Sequence, residues 1–261
     1  MALVPQLLKY NIADGVTAFS TTRHGGCSEG NYRSFNINNY CGDTAEHTLA
    51  NKEALANVLH TDILHIILPH QTHSVESRRI GSEFFTLPEN VQKMILEGVD
   101  AVMTDLQGVC VGVSTADCIP VLLYDVEHHA VCAIHAGWRG TVARITRKAI
   151  VDMAFHFHTD PKKLKAVIGP GISLDSFEVG QEVYDQFAEA AFDMNTIAKF
   201  YQKWHIDLPL CNKQMLLEAG MEEANIHMAD ICTMKRHEDF FSARALGVDS
   251  GRIYTGIMLN P

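Results

Sequence analysis

The stretch Cys110–Thr141 reads CVGVSTADCIPVLLYDVEHHAVCAIHAGWRGT, and its short apolar runs predict two or three buried strands. Cys118 follows the end of the first run, Val111–Ser114, and His135 closes the last run just before Gly137. A glycine at this place predicts a turn. The stretch therefore predicts a rigid sheet core that presents a thiol and an imidazole at its strand ends.

A second source of imidazole lies upstream, in the segment Leu68–Ser74, LPHQTHS, which carries His70 and His73. Thiolate and imidazole together suit either a zinc site or a cysteine nucleophile with its histidine base. A catalytic zinc ion typically takes three protein ligands and leaves a fourth position for water or substrate. His73 completes that number with Cys118 and His135, and His70 is a further candidate for the same site.

Motifs spread along most of the chain carry a resemblance to one family. Around the three candidate ligands they are QTHS, STADCIPVLL and HAGWRGT. Elsewhere they are FSTTRHGGCSEGNYRSFNINNYCGD, IGPGISLDSFEVGQEV, HIDLPLCNKQMLLEAG and FFSARALGVDSGRIYTGI. In order and extent they resemble the YfiH-type laccase-domain proteins, known as multicopper polyphenol oxidases and as purine nucleoside phosphorylases. Asn38 and Tyr40 stand where that family's pattern has a glycine and a histidine.

The resemblance implies a site and an activity. His73, Cys118 and His135 would be both the catalytic residues and the metal ligands, with zinc as the ion and copper as the alternative. The implied reaction cleaves adenosine, inosine, guanosine or methylthioadenosine with inorganic phosphate, giving free base and ribose-1-phosphate, and adenosine deamination is the implied side activity. A purine nucleoside and inorganic phosphate are therefore the expected small-molecule partners.

Three arginines are candidates for phosphate contact. Arg23 opens the glycine-rich loop 23–30, RHGGCSEG, whose backbone amides can hold an anion. Arg139 precedes a predicted helix over Gly140–Phe157, and a helix N-terminus favours negative charge. Arg244 is carried over from the family resemblance.

Apolar strand-like runs and helical segments are interspersed along the chain without strict βαβ alternation. This predicts an α+β fold with a mixed, layered β-sheet core flanked by helices, and the resemblance implies a fold like that of CNF and YfiH proteins. The predicted helices begin at Asp43 or Thr44 and run to Leu59, and cover Gly140–Phe157, Val179–Ala191 and Leu208–Gly220. The predicted strands include residues 15–22, 98–105, 165–171, 226–228 and 252–258. A length of 261 residues is compatible with one domain spanning residues 1–261.

Three aspartates lie close to these predicted strands. A ligand histidine usually donates its second ring N–H to a carboxylate or a carbonyl. One of Asp100, Asp105 and Asp117 is therefore predicted to orient His73 or His135.

Composition excludes several classes of function. The net charge of -10, from 31 acidic against 21 basic residues, argues against a nucleic-acid groove, which needs clustered cations. The N-terminus has no positive region before an apolar core, and no segment approaches about 18 continuous apolar residues, so we expect no membrane association and a cytoplasmic location. Seven cysteines at irregular positions do not predict a disulfide framework.

Two other enzymatic interpretations stay open from the sequence. In the first, a metal-free cysteine hydrolase or amidase, Cys118 is the nucleophile and His135 or His73 its base. The second is a copper-dependent polyphenol oxidase. Reduction of oxygen at several coppers draws on many histidines, often in His-x-His pairs, and only His156 and His158 form such a pair. A binding module without catalysis is the remaining interpretation.

Overall fold

Two large mixed sheets form the centre of the computed structural model, which describes residues 3–261. The strands are β1 (Leu7–Tyr10), β2 (Val16–Thr21), β3 (Ile66–Ile67), β4 (Ser77–Arg79), β5 (Ala101–Thr104), β6 (Cys110–Thr115), β7 (Ile119–Asp125), β8 (Ala130–Ala136), β9 (Leu164–Ile168), β10 (Glu178–Val179), β11 (Ala198–Phe200), β12 (Trp204–Ile206), β13 (Ile226–Met228) and β14 (Ile253–Leu259). The α-helices are α1 (Ala45–Leu59), α2 (Glu89–Ile95), α3 (Trp138–Val142), α4 (Ile145–Phe157), α5 (Gln181–Glu189), α6 (Met194–Ile197), α7 (Leu208–Glu218) and α8 (Ala243–Leu246).

Both large sheets combine parallel and antiparallel pairs. The five-stranded sheet has the order β1-β2-β14-β6-β3, with β3 parallel to β6 and the other pairs antiparallel. The six-stranded sheet has the order β13-β9-β7-β8-β5-β4, with parallel pairs at both edges. A small antiparallel sheet joins β10, β12 and β11. The predicted mixed-sheet α+β fold is confirmed.

The core is layered because side chains alternate between the two faces of each strand. In β7, Leu122 and Tyr124 point into the space between the two large sheets, which Val111 and Ile257 enter from the other side. The opposite face of the six-stranded sheet packs against α4, α5 and α7. The opposite face of the five-stranded sheet packs against Leu55 and neighbouring residues of α1. The order of layers is therefore helix, sheet, sheet, helices.

Two links carry the chain from one large sheet to the other at the same end of the core. Residues 116–118 connect β6 of the five-stranded sheet with β7 of the six-stranded sheet. Residues 68–76 connect β3 of the first sheet with β4 of the second. We call these two links the sheet crossovers, and they place Cys118 and His73 at the same end.

Most predicted helices form, with one correction. Thr44 begins α1 by accepting a hydrogen bond on its side chain from the His47 N–H, as the capping pattern predicts. The single helix predicted over 140–157 is wrong, because the chain breaks into α3 and α4 at Arg144, which has a φ of +63°. The Arg144 guanidinium donates to the Ala190 carbonyl and lies 3.7 Å from the centre of the Phe192 ring. Contacts with residues that are distant in the sequence therefore stabilise the break.

Two expectations from composition can be compared with the structure. All seven cysteines are free thiols, which confirms the expectation that they form no disulfide framework. Among residues 3–261, no helix has both the length and the apolar composition needed to cross a membrane.

Candidate functional site

Three side chains predicted from the sequence as ligands lie together in the structure. One ligand atom from each of His73, Cys118 and His135 lies within 4.8 Å of the other two. Cys118 Sγ is 3.8 Å from His73 Nε2, and the two imidazole rings are 4.9 Å apart at 71°. We call this group the His-Cys-His cluster.

Each member of the cluster comes from a different element. Cys118 lies in the crossover between β6 and β7, and His73 lies in the crossover between β3 and β4 with a φ of +61°. His135 is the sixth residue of β8 and is only 3% exposed. His73 is exposed and Cys118 is half-buried, so the cluster opens to solvent on the crossover side.

Asp100 organises the surroundings of the cluster from a fully buried position before β5. Its carboxylate accepts hydrogen bonds from the backbone N–H groups of Thr72, His73 and Ser74 at 2.8–3.1 Å, and from the Ser74 hydroxyl at 2.8 Å. It also accepts one from His135 Nδ1 at 2.6 Å. One carboxylate therefore fixes both the crossover that carries His73 and the ring of His135.

The contact with Asp100 sets the protonation of the cluster. Because Nδ1 of His135 donates to Asp100, its Nε2 is the ring atom left for a metal, which would displace the proton from that nitrogen. Burial alone would raise the pKa of the Cys118 thiol, but the positive charge and hydrogen bonds of His135 and His73 outweigh burial and lower it. Burial would lower the pKa of His135, whereas Cys118 and Asp100 raise it. Cys118 is thus favoured as the thiolate, the form that binds metals.

The donor set fits a metal ion. Zinc is bound by thiolate sulfur at about 2.3 Å and by imidazole nitrogen at about 2.0–2.1 Å. The cluster supplies one thiolate and two imidazoles close enough to share an ion. Asp100 orients the His135 imidazole through the hydrogen bond at Nδ1. Its exposed side leaves room for a fourth ligand, as catalytic zinc sites require.

Gly137 leaves the space that the cluster occupies. A Cβ atom at this position would lie 2.7 Å from His73 Cδ2 and 3.1 Å from Cys118 Sγ. Its φ of -69° is open to any residue, so the steric contact alone requires glycine. We expect Gly137→Ala to push the His73 ring aside and to weaken metal binding by about tenfold. Zinc titration of the folded variant measures this. Unchanged zinc affinity would show that the cluster does not need the space left by the missing Cβ of Gly137.

A cavity of about 310 Å³ adjoins the cluster. Its other walls come from the segment before α1, from the start of the His73 crossover, from β6 and from the region around α8. These lining residues are Asn38, Tyr40, Cys41, His70, Gln71, Ser114, Ala116, Ala243, Val248 and Arg252. Sequence reasoning did not single out Gln71, Ser114 or Arg252, because a single polar residue within a strand or loop has no pattern that marks it.

The three arginines predicted to contact phosphate lie outside the wall of this cavity. Arg23 lines a separate cavity of about 690 Å³ and donates to the carbonyls of Arg33 and His237. Arg139 is exposed beside the ring of Trp138, and Arg244 donates through its guanidinium to the Glu178 carbonyl. The phosphate contact of all three stays a prediction.

The remaining candidates have separate contacts. Asp105 accepts from Arg79 at 3.3 Å near the surface, so of the three aspartates it is Asp100 that contacts a histidine of the cluster. Asp117 accepts from the Thr233 hydroxyl and from the Arg244 backbone N–H, both at 2.7 Å. His70 lines the cavity but pairs with Glu97 at 2.8 Å instead of joining the cluster.

Comparison with known proteins agrees on one family. The family model described as multi-copper polyphenol oxidoreductase laccase matches residues 17–260. A purine nucleoside phosphorylase of Bacteroides thetaiotaomicron is 45% identical over 94% of this chain and 92% of its own. The adenosine deaminase RL5 of an unknown prokaryotic organism is 42% identical over 94% of each chain. The crystal structure of the Bacillus licheniformis hypothetical protein YfiH superposes with a TM-score of 0.89 at 27% identity, over 98% of this chain and 97% of its own.

Proposed function

The chain belongs to the multi-copper polyphenol oxidoreductase laccase family, and we propose that within it this protein is a zinc-dependent purine nucleoside phosphorylase with adenosine deaminase side activity. The observation that carries the proposal is the His-Cys-His cluster at the wall of a small-molecule cavity. Relatives named purine nucleoside phosphorylase and adenosine deaminase support the choice of substrate class.

The proposed reactions need a held ion and a bound nucleoside. His73, Cys118 and His135 would hold the ion, and a zinc ion bound there supplies Lewis-acid activation of water at neutral pH. Asp100 would keep the proton on Nδ1 of His135, so that the ion would replace the proton on Nε2. The cavity volume of about 310 Å³ lies at the lower end of the range for small-molecule sites.

Two bond exchanges follow from this assignment. In phosphorolysis a phosphate oxygen attacks the anomeric carbon, the glycosidic carbon–nitrogen bond breaks, and the purine leaves with the bonding electrons and takes up a proton. In deamination a water oxygen attacks carbon 6 of adenine and ammonia leaves, giving inosine. In this proposal the nucleoside of either reaction would bind in the cavity beside the cluster, within reach of the same side chains.

A specific observation favours a metal-free cysteine hydrolase as the second candidate. Cys118 Sγ and His73 Nε2 are 3.8 Å apart, and the pKa of the thiol is lowered, as in a nucleophile paired with its base. A multi-copper oxidase has less support, because the described residues contain one group of three metal-binding side chains, enough for a single ion.

Product analysis tests the proposed function. The protein is incubated with inosine or adenosine, with and without phosphate. We expect ribose-1-phosphate and free base only when phosphate is present, and inosine from adenosine in either case. A chelator should abolish both activities and added zinc should restore them. Activity on an amide that survives chelation and is lost on thiol alkylation would favour the cysteine hydrolase instead.

A further inference from the structure

We propose that Tyr40 and Ser114 form the subsite that holds the purine base in the cavity beside the His-Cys-His cluster. The proposal rests on the proposed function and adds which residues recognise the substrate. It is carried by the unpartnered hydroxyl of Ser114 and by the stacked ring of Tyr40, two residues that line the same cavity.

The hydroxyl of Ser114 is the polar group that lacks a partner. Ser114 is 5% exposed, and its Oγ makes no hydrogen bond within the described chain. The Gln71 side chain satisfies the backbone of the same residue, accepting from its N–H at 2.7 Å and donating to its carbonyl at 2.8 Å. A buried hydroxyl without a partner costs stability, so a ligand that supplies the missing hydrogen bond is favoured there.

Thr115 is a useful contrast to Ser114. Its hydroxyl is also buried and unpartnered, and the residue is 1% exposed. The next position along a strand points to the opposite face of the sheet, and Thr115 is not in the cavity wall. Thr115 therefore provides a matched control for loss of an unpartnered buried hydroxyl next to the site.

Tyr40 provides the flat surface. The residue is 45% exposed and lines the cavity, and its ring stacks on the ring of His70 at 4.2 Å and 21°. His70 is held in turn by Glu97 at 2.8 Å, and the Tyr40 N–H donates to the Asn38 side chain at 2.7 Å. A ring fixed in this way loses little freedom when a base stacks on it. Every nucleobase has a face that stacks on an aromatic side chain.

Charge favours the base over phosphate at this wall. His70, which stacks on Tyr40, is paired with the Glu97 carboxylate. The negative charge of this carboxylate disfavours a phosphate group close to it. The one arginine in the wall, Arg252, already donates to the carbonyls of Val248, Ser250 and Gly251. The Tyr40 side of the cavity therefore fits the uncharged purine.

The Ser114 half of the proposal is tested by Ser114→Ala with Thr115→Val as control. Calorimetric titration with hypoxanthine and steady-state kinetics with inosine measure the two variants. We expect Ser114→Ala to weaken hypoxanthine binding and raise KM about threefold to tenfold, the effect of one hydrogen bond. Zinc content should be unchanged and thermal stability should not fall, because an unsatisfied hydroxyl is removed. Thr115→Val should leave binding and KM unchanged.

The Tyr40 half is tested by Tyr40→Ala and Tyr40→Phe. We expect Tyr40→Ala to weaken hypoxanthine binding by about fivefold to a hundredfold, as stacking on an aromatic side chain predicts, while Tyr40→Phe keeps the stacking and the affinity. Phe200→Ala removes an aromatic side chain that is 61% exposed and outside the cavity, and it should have no effect.

The outcomes separate this proposal from the function on which it rests. Binding by Tyr40→Ala and Ser114→Ala that equals the wild type would overturn the subsite. Wild-type protein that binds hypoxanthine through Tyr40 but forms no ribose-1-phosphate would overturn the proposed reaction and keep the subsite. Wild-type protein that neither binds purine nor converts nucleosides would overturn both.

Discussion

Replacing His73, Cys118 or His135 by alanine is expected to remove the bound metal and to lower both proposed nucleoside activities by more than about 100-fold. Loss of an outer-shell partner of a metal typically costs about 10- to 100-fold, and loss of a direct ligand should cost more. The three side chains converge on one point, within 4.8 Å of one another, so the three variants should behave alike. Elemental analysis and both assays, run on each variant, measure this.

The fold should survive these substitutions. A chain of 261 residues with a layered core does not need a metal to supply its folding energy, unlike small zinc domains. Cys232→Ala is the matched control, because Cys232 is another half-buried free thiol and lies outside the cluster. It should keep its metal and its activity. A Cys118→Ala variant with full metal content and no activity would instead identify Cys118 as a nucleophile.

Replacing Asp100 by alanine is expected to have the second largest effect, on stability as well as on the site. The change would leave His135 Nδ1 and three backbone N–H groups without their acceptor, whereas the Ser74 hydroxyl keeps the Gly98 carbonyl. Removing one member of a buried charged pair typically costs about 3–5 kcal/mol of unfolding free energy. Metal affinity should fall by about 10- to 100-fold, because the His135 ring and the His73 crossover both lose their support.

Urea unfolding of the metal-free protein and zinc titration of the folded protein measure the two effects separately. Asp100→Asn keeps the size of the side chain but offers one acceptor oxygen in place of two, so an intermediate effect is expected. Asp105→Asn is the control, because Asp105 is 39% exposed and pairs only with Arg79 in the surface contact described above. Equal zinc affinity in Asp100→Asn and the wild type would show that Asp100 does not position the ligands.

The parts of the fold that sequence predicts are those governed by local pattern. The apolar runs of β6, β7 and β8 have the lengths and endings typical of buried strands, and the side-chain cap of Thr44 marks the start of α1. The break at Arg144 could not be predicted in the same way. It depends on contacts with Ala190 and Phe192, which lie more than forty positions further along the chain.

The site divides in a similar way. The residue types of His73, Cys118 and His135, at breaks after apolar runs, predicted a thiol and imidazoles at strand ends, and the family resemblance supplied the set of three. The role of Asp100 needed the structure, because a carboxylate next to a strand is equally typical of a turn or a cap. Ser114 had no sequence pattern that marked it, because its hydroxyl is notable only for the missing partner. Tyr40 was noticed only as a departure from the family pattern, and its stacking on His70 needed the structure.

Because of the two sheet crossovers, the cluster lies where the chain passes between the five-stranded and the six-stranded sheets. Cys118 and His73 each lie on a link that leaves the five-stranded sheet and enters the six-stranded sheet, whereas His135 lies within the six-stranded sheet itself. A shift of one sheet against the other would strain both links, which carry Cys118 and His73. We therefore expect metal affinity to depend on the alignment of the two sheets. A substitution at the interface between the two large sheets is then expected to weaken metal binding without contacting the cluster.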